Sequence, residues 1–133
     1  MKTFIITLML MVSQAAFCQQ MYDRSGSLIG RYESGRIYDR SGSYEGKVES
    51  GRFYTRSGSY LGYVRDNRYY DHCGSYIGYC SSNHYYDRSG SYLGYISSSG
   101  SIYTSSGSLI GSTRNVPDHI VALVYFYGIF PLR

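Results

Sequence analysis

Between residues 19 and 116 the sequence has no alanine and little leucine or glutamate, so good helix formers are missing from most of its length. At 133 residues there is room for one domain and none for a separate catalytic half. Charge of one sign is nowhere gathered into a block. The formal net charge of +4 is spread over arginines interleaved with acids, as in Asp23-Arg24, Glu33 with Arg36, and Asp39-Arg40. Such mixing describes a solvated face rather than a polyanion-binding patch and argues against a nucleic-acid partner. No glycine-rich phosphate loop follows a strand and opens a helix; the glycines are accounted for by turns.

Catalytic groupings are missing too. Serine is abundant, but Ser25, Ser41, Ser57 and Ser89 fall in turns, where a hydroxyl supports the backbone. A nucleophile needs a base beside it, and none of His72, His84 and His119 recurs with a matching serine and carboxylate. The expectation is a protein that is not an enzyme and needs no cofactor. Asp23, Asp39, Asp71 and Asp87 could form a ring around a cation. An arginine follows each of them except Asp71, so salt bridges between neighbouring units are the expected use of these residues.

The first residues stand apart. Lys2 leads into the apolar run Phe4–Val12 and then Ala15-Ala16, the order of a secretory signal, and the run is too short for the roughly 20 residues of a spanning helix. Residues 1–18 are therefore expected to be removed on export to the periplasm or the exterior, with an alternative in which Cys18 is lipidated. Export leads to an oxidising compartment, where Cys73 and Cys80 would invite a disulfide. Their places in the repeat put them about 20 Å apart, against a limit of about 7 Å, so they are expected to be unpaired within one chain. The same separation argues against a metal site built from His72, Cys73, Cys80 and His84.

What the sequence has in quantity is tyrosine, 18 residues, and glycine, 16. They recur in order: Tyr22-Asp-Arg-Ser-Gly-Ser-Leu-Ile-Gly30 returns with a period of sixteen residues from Tyr38, Tyr54, Tyr70 and Tyr86, and a sixth time from Tyr103 after one extra residue in Ser97–Gly100. Fixed-period self-similarity means a closed or stacked array of one supersecondary unit. Ser-Gly pairs such as Ser41-Gly42 and Ser57-Gly58 suit two-residue hairpin turns, and Ser34-Gly35, Ser50-Gly51, Asp66-Asn67 and Ser82-Asn83 serve the alternate connections. The result is an up-and-down meander turning about every eight residues.

Centring turns on these pairs sets Ile37 opposite Gly46, Tyr38 opposite Glu45 and Asp39 opposite Tyr44. It also pairs Val48 with Phe53, Val64 with Tyr69, Tyr54 with Leu61 and Tyr70 with Ile77. Both faces then carry apolar rows. Two sets of glycine emerge: Gly26, Gly42, Gly58, Gly74, Gly90 and Gly107 at turns, and Gly30, Gly46, Gly62, Gly78, Gly94 and Gly111 inside strands. A glycine inside a strand marks a bend or a close approach of backbone, and six of them imply a curved sheet that closes around a narrow axis.

The repeated Tyr-Asp-x-x-Gly-x-x-Ile-Gly hairpins, with a signal segment before them and an apolar segment after, resemble the bacterial β-flower proteins of the four-fold and five-fold families. The resemblance runs from Tyr22 to Phe130. It implies a shallow symmetric β-barrel with hairpin petals, an apolar centre and a biochemical role not assigned. Six copies leave the petal number at five or six. Glu45, where other copies carry isoleucine or leucine, departs from the pattern and is expected at the barrel seam.

The segment from Asp118 to Phe130 breaks the period and is apolar all round. Asn115, Pro117 and Asp118 supply a helix start, while the β-branched and aromatic residues favour a strand. At about 18 Å, twelve helical residues fall well short of a hydrocarbon core of about 30 Å. The segment is therefore expected to lie along the barrel axis as an apolar plug made by Ile120, Leu123, Val124, Phe126 and Tyr127. The sequence thus divides into a signal (1–18), an all-β hairpin domain (19–116) and an apolar tail (117–133). Its expected work is that of an exported cell-envelope module contacting glycan, peptide or lipid, with lipid association through the centre and tail as the alternative. Its ligand and oligomeric state stay open.

Overall fold

The computed structural model describes residues 19–132, so the signal reading of residues 1–18, Cys18 included, lies outside the described residues. Twelve strands follow one another: β1 (Gln20–Asp23), β2 (Leu28–Glu33), β3 (Arg36–Asp39), β4 (Tyr44–Glu49), β5 (Arg52–Thr55), β6 (Tyr60–Arg65), β7 (Arg68–Asp71), β8 (Tyr76–Ser81), β9 (His84–Asp87), β10 (Tyr92–Ile96), β11 (Ser101–Thr104) and β12 (Leu109–Arg114). One helix, α1 (Asp118–Tyr125), comes after them. Each strand pairs antiparallel with its chain neighbours, and β1 pairs with β12, so the meander closes into a barrel of six hairpins. Closure leaves no unpaired edge.

Two kinds of turn alternate. At the rim joining one hairpin to the next, Ser34 and Gly35 have φ of +49° and +84°, and Asp66 and Asn67 have +53° and +65°. Positive φ at both central residues matches the right-handed twist of the strands. At the petal tips the expected two-residue turn gives way to three residues. Asp39 N–H donates to the Ser43 carbonyl, and Gly42 N–H donates to the Asp39 carbonyl, leaving Arg40, Ser41 and Gly42 as the loop. The extra residue before the sixth repeat makes the same kind of loop at the rim, where Gly100 N–H donates to the Ser97 carbonyl.

The longer tip loop comes with a shift in register that the period alone hides. Ile37 is opposite Gly46 as expected, but Tyr38 is opposite Tyr44 rather than Glu45, because a bulge falls between them. Likewise Tyr54 faces Tyr60, not Leu61, and Tyr70 faces Tyr76, not Ile77. The residue left unpaired is Ile29, Glu45, Leu61, Ile77, Leu93 or Ile110, one per hairpin. Glu45 is thus a half-buried bulge residue of β4, not a residue of the β1–β12 seam. The pairs Val48–Phe53 and Val64–Tyr69 stand as read from the sequence.

Alternation along the strands then sorts the side chains. Met21, Ile37, Phe53, Tyr69, Tyr85 and Ile102 point to the axis and are at most 2% exposed. Each lies opposite a glycine, from Met21 with Gly30 to Ile102 with Gly111. The helix fills the space they enclose: Ile120, Val121, Ala122, Leu123, Val124 and Tyr125 are all buried. A helix apolar on every side needs such a site. It is shorter than the tail, ending at Tyr125, and Gly128 at φ +63° turns the remaining residues aside.

Candidate binding surface

The tail seats itself on the strand glycines in reverse order. A β-carbon on Gly111 would meet the Tyr125 ring at 2.5 Å, one on Gly94 the Phe126 ring at 2.9 Å, and one on Gly78 the Tyr127 ring at 2.7 Å. On Gly46 it would meet Phe130 at 2.6 Å, and on Gly30 Leu132 at 2.7 Å. At Gly62 the three nearest atoms all belong to the backbone of the next strand. The phenols complete the fit: Tyr125 OH donates to the Tyr22 carbonyl at 2.7 Å and Tyr127 OH to the Tyr86 carbonyl at 2.9 Å. Burial pushes the Tyr127 phenol above its usual range. These strand glycines therefore make room for the tail as well as for neighbouring strands. The turn glycines Gly26, Gly42, Gly58, Gly74, Gly90 and Gly107 differ: they have φ between +83° and +91°, and a β-carbon on them would meet nothing within 4 Å. Of the plug residues, Ile120, Leu123 and Val124 are buried, while Phe126 and Tyr127 are half-buried against the same cluster.

The outer face carries a belt of rings. Tyr63 stacks on Tyr70 with centroids 4.6 Å apart, Tyr79 on Tyr86 at 4.7 Å, and Tyr95 on Tyr103 at 4.9 Å. In the first half of the ring the partner is a cation: Arg31 lies 5.1 Å from the Tyr38 ring centre and Lys47 5.4 Å from that of Tyr54. The bulge adds a second contact, bringing Tyr38 and Tyr44, Tyr54 and Tyr60, and Tyr70 and Tyr76 to centroid distances of 5.9 Å. His84 lies 5.6 Å from both Tyr92 and Tyr95 on the facing strand of its own hairpin. Tyr60 and Tyr92 are exposed. Sequence reading picked out the tyrosine rows but missed the ladder's other half, the residue after each strand glycine. Stepping one residue on from each inward-facing strand glycine would have placed Arg31, Lys47, Tyr63, Tyr79 and Tyr95 outside.

The petal aspartates do not bridge to neighbouring arginines. Asp39 Oδ1 accepts from Ser41 N–H at 2.9 Å, Ser43 N–H at 2.9 Å and the Ser41 hydroxyl at 2.7 Å, and Asp23 and Asp87 do the same in their own loops. A short carboxylate satisfies its own turn more readily than it reaches another petal. The serine hydroxyl first, and then the loop N–H groups, hold these three carboxyls below the usual aspartate value. Among the described residues the ion pairs are instead Lys47–Glu49 at 3.8 Å and Arg65–Asp66 at 4.0 Å, both on exposed side chains. Nor are the four aspartates gathered into one ring. Asp71, His72 and Cys73 have ligand atoms within 4.8 Å of one another at an exposed tip, whereas Cys80 packs against the core and His84 belongs to the belt. Cys73 and Cys80 are both free.

A ring of identical hairpins closed on its own C-terminal segment defines a β-flower. The family model described as "5-fold beta-flower protein" matches residues 18–128, and the chain belongs to that family. Its barrel has six hairpins, one more than the family description counts. Neither the curated proteins nor the solved structures gave a match.

Proposed function

We propose that this chain is a non-catalytic, exported binding module of the cell envelope that holds a glycan polymer against its outer belt. The stacked tyrosine ladder from Tyr63 to Tyr103 is the observation that carries this reading. Each ring is already locked by its neighbour, so little side-chain entropy remains to be lost when a ligand stacks on it. The cations Arg31 and Lys47 extend the same belt with donors for hydroxyl or acidic groups. Export is supported by the order of Lys2, apolar run and small residues in the first eighteen positions. The alternative, lipid association through the centre and tail, has less to work with, since Ile120 to Tyr125 are buried in the barrel. No helix among the described residues is long and apolar enough to cross a membrane.

Retention of the purified protein on immobilised peptidoglycan and other envelope polysaccharides, beside liposome flotation, tests the proposal. Glycan retention that falls when Tyr63, Tyr79 and Tyr95 are together changed to alanine supports it. Flotation with lipid but no retention on any glycan would replace it with the alternative.

A further inference from the structure

The six-fold pattern of the outer face breaks at one place, and the break exposes an aromatic ring. Tyr22, Tyr38, Tyr54, Tyr70, Tyr86 and Tyr103 are equivalent in the repeat. Across the barrel ladder from them stand Ser112, Arg31, Lys47, Tyr63, Tyr79 and Tyr95 respectively. Five of these tyrosines thus have a ring or cation laid on one face. Tyr22 has a serine instead, and among the described residues no ring or cation covers it. The partner of Ser112 on its other side is Ser101, where the equivalent residues are Gln20, Arg36, Arg52, Arg68 and His84. Two bulky positions of the repeat have become serines side by side.

Beside Ser112 lies a cleft of about 490 Å³, whose lining includes Tyr22, Ser98, Ser99, Ser112, Arg114 and Asp118. That size is within the usual range for small-molecule sites, of order 300–1,000 Å³. Three features shape it. The three-residue rim loop, unique in this position, brings Ser98 and Ser99 to one wall, and the Ser97–Ser99 hydroxyl contact at 2.9 Å and the Ser101 N–H to Ser97 Oγ bond at 3.1 Å hold the loop. The β1–β12 seam forms the floor, pinned where Gln19 Nε2 donates to the Asn115 carbonyl at 2.9 Å. The chain leaving β12 for the helix supplies Arg114 and Asp118. Tyr22 itself is fixed by donating from its phenol to Gln20 Oε1 at 2.6 Å. Among the described residues the side chains of Ser112, Arg114 and Asp118 make no hydrogen bond or ion pair within the chain.

A bare aromatic face, a carboxylate acceptor, a guanidinium donor and several hydroxyls within one cleft match one ligand chemistry closely: a pyranose ring, apolar on one face and ringed by hydroxyls. We infer that this cleft is a saccharide subsite in which Tyr22 stacks on one sugar of a mono- or disaccharide while Asp118, Arg114 and the serines bond its hydroxyls. It is a second site, distinct from the belt, and does not depend on the belt binding a polymer.

The test is an NMR titration of the full chain with cellobiose, N,N′-diacetylchitobiose and maltose. Saturable shifts at Tyr22, Ser98–Gly100 and Ser112 with at least one sugar are expected. Ser112→Tyr restores the partner that the equivalent tyrosines have, so it should fold as the parent does yet cover the Tyr22 ring and weaken binding by about tenfold or more. Asp118→Asn should weaken it as well. Tyr79→Ala, which alters the belt and not the cleft, should leave the shifts at Tyr22, Ser98–Gly100 and Ser112 unchanged. If none of the three sugars gives saturable shifts at the cleft, or if folded Ser112→Tyr binds as tightly as the parent, the subsite is overturned. If Tyr79→Ala abolishes sugar binding while Ser112→Tyr does not, the sugar sits on the belt, and the cleft proposal fails while the belt reading stands.

Discussion

Phe130 sits against Gly46: a β-carbon placed on that glycine would lie 2.6 Å from the edge of the Phe130 ring, and the Tyr54 carbonyl blocks the same space from the neighbouring strand. Barrel backbone and tail are thus fitted to each other at single positions, and removing either partner has a readable consequence.

Gly62→Val should cost at least about 1–3 kcal/mol. A β-carbon there collides with the Tyr70 carbonyl, backbone that cannot swing away, and the glycine φ of +148° disfavours a branched side chain. Gly58→Ala is the control: its φ of +91° is strained for alanine, but the space around it is open. Urea denaturation of the two variants should show the larger loss at Gly62, and an unchanged midpoint for Gly62→Val would refute the crowding.

Leu123→Ala should destabilise by about 2–5 kcal/mol, since its side chain is fully buried at the barrel axis. Deleting residues 118–133 goes further, uncovering Met21, Ile37, Phe53, Tyr69, Tyr85 and Ile102 together. Hydrophobic-dye binding and a lowered melting temperature are expected. A truncated chain that melts as before and binds no extra dye would place the tail outside the fold's energetics.

Ser34→Asn should stabilise by about 0.5–1 kcal/mol. Ser34 is held at φ +49° before Gly35 at +84°, and asparagine, like the aspartate Asp66 that holds φ +53° at the equivalent position, tolerates that region better than serine. Thermal melts of the single variant decide it.

Stability should decline as the pH drops below 6.5. Burial lowers the His119 pKa from that value, partly offset by Asp118, so the folded state favours the neutral ring and loses ground as the unfolded chain takes up a proton. The tip carboxyls of Asp23, Asp39 and Asp87, lowered from 3.8, add a further loss below that pH, while burial raises Asp118 and works in the opposite sense. Melting temperatures at pH 7 and pH 5 should differ in the parent and converge in His119→Gln. An equal difference in both would show that His119 is not the group responsible.

Mass spectrometry of the exported chain should find residues 1–18 absent, as the order of Lys2, apolar run and small residues implies. An intact Met1 would rule this out, and a diacylglyceryl mass on Cys18 would favour the lipidated alternative.

The repeat made the barrel legible in the sequence, because six strand glycines and a turn every eight residues leave few arrangements other than a closed meander with one apolar row inside. The outer pairing was harder to read. A bulge adds one residue without altering a sixteen-residue period, so Tyr38 could be set against Glu45 when Tyr44 is its partner. The tip aspartates were hard to read for a related reason: an Asp-Arg neighbour suggests pairing between petals, but the loop N–H groups of Ser41 and Ser43 lie 2.9 Å from the Asp39 carboxylate, and among the described residues no arginine of another petal pairs with it. The cleft beside Tyr22 depended on which strands become neighbours at closure. The pairing of β1 with β12 creates that wall, and a sequence read from one end to the other does not place those strands together.

β1 finds its second neighbour only in the last strand, and Gln19 reaches Asn115 across 96 positions of sequence. Hairpins can form locally and early, but the ring and its filling depend on the final residues delivered, and contacts this far apart slow the closing step. A linear array can shed a terminal unit and keep the rest. A ring that parts at any hairpin exposes two strand edges and its apolar row at once, so this barrel is built to melt as one cooperative unit rather than to fray.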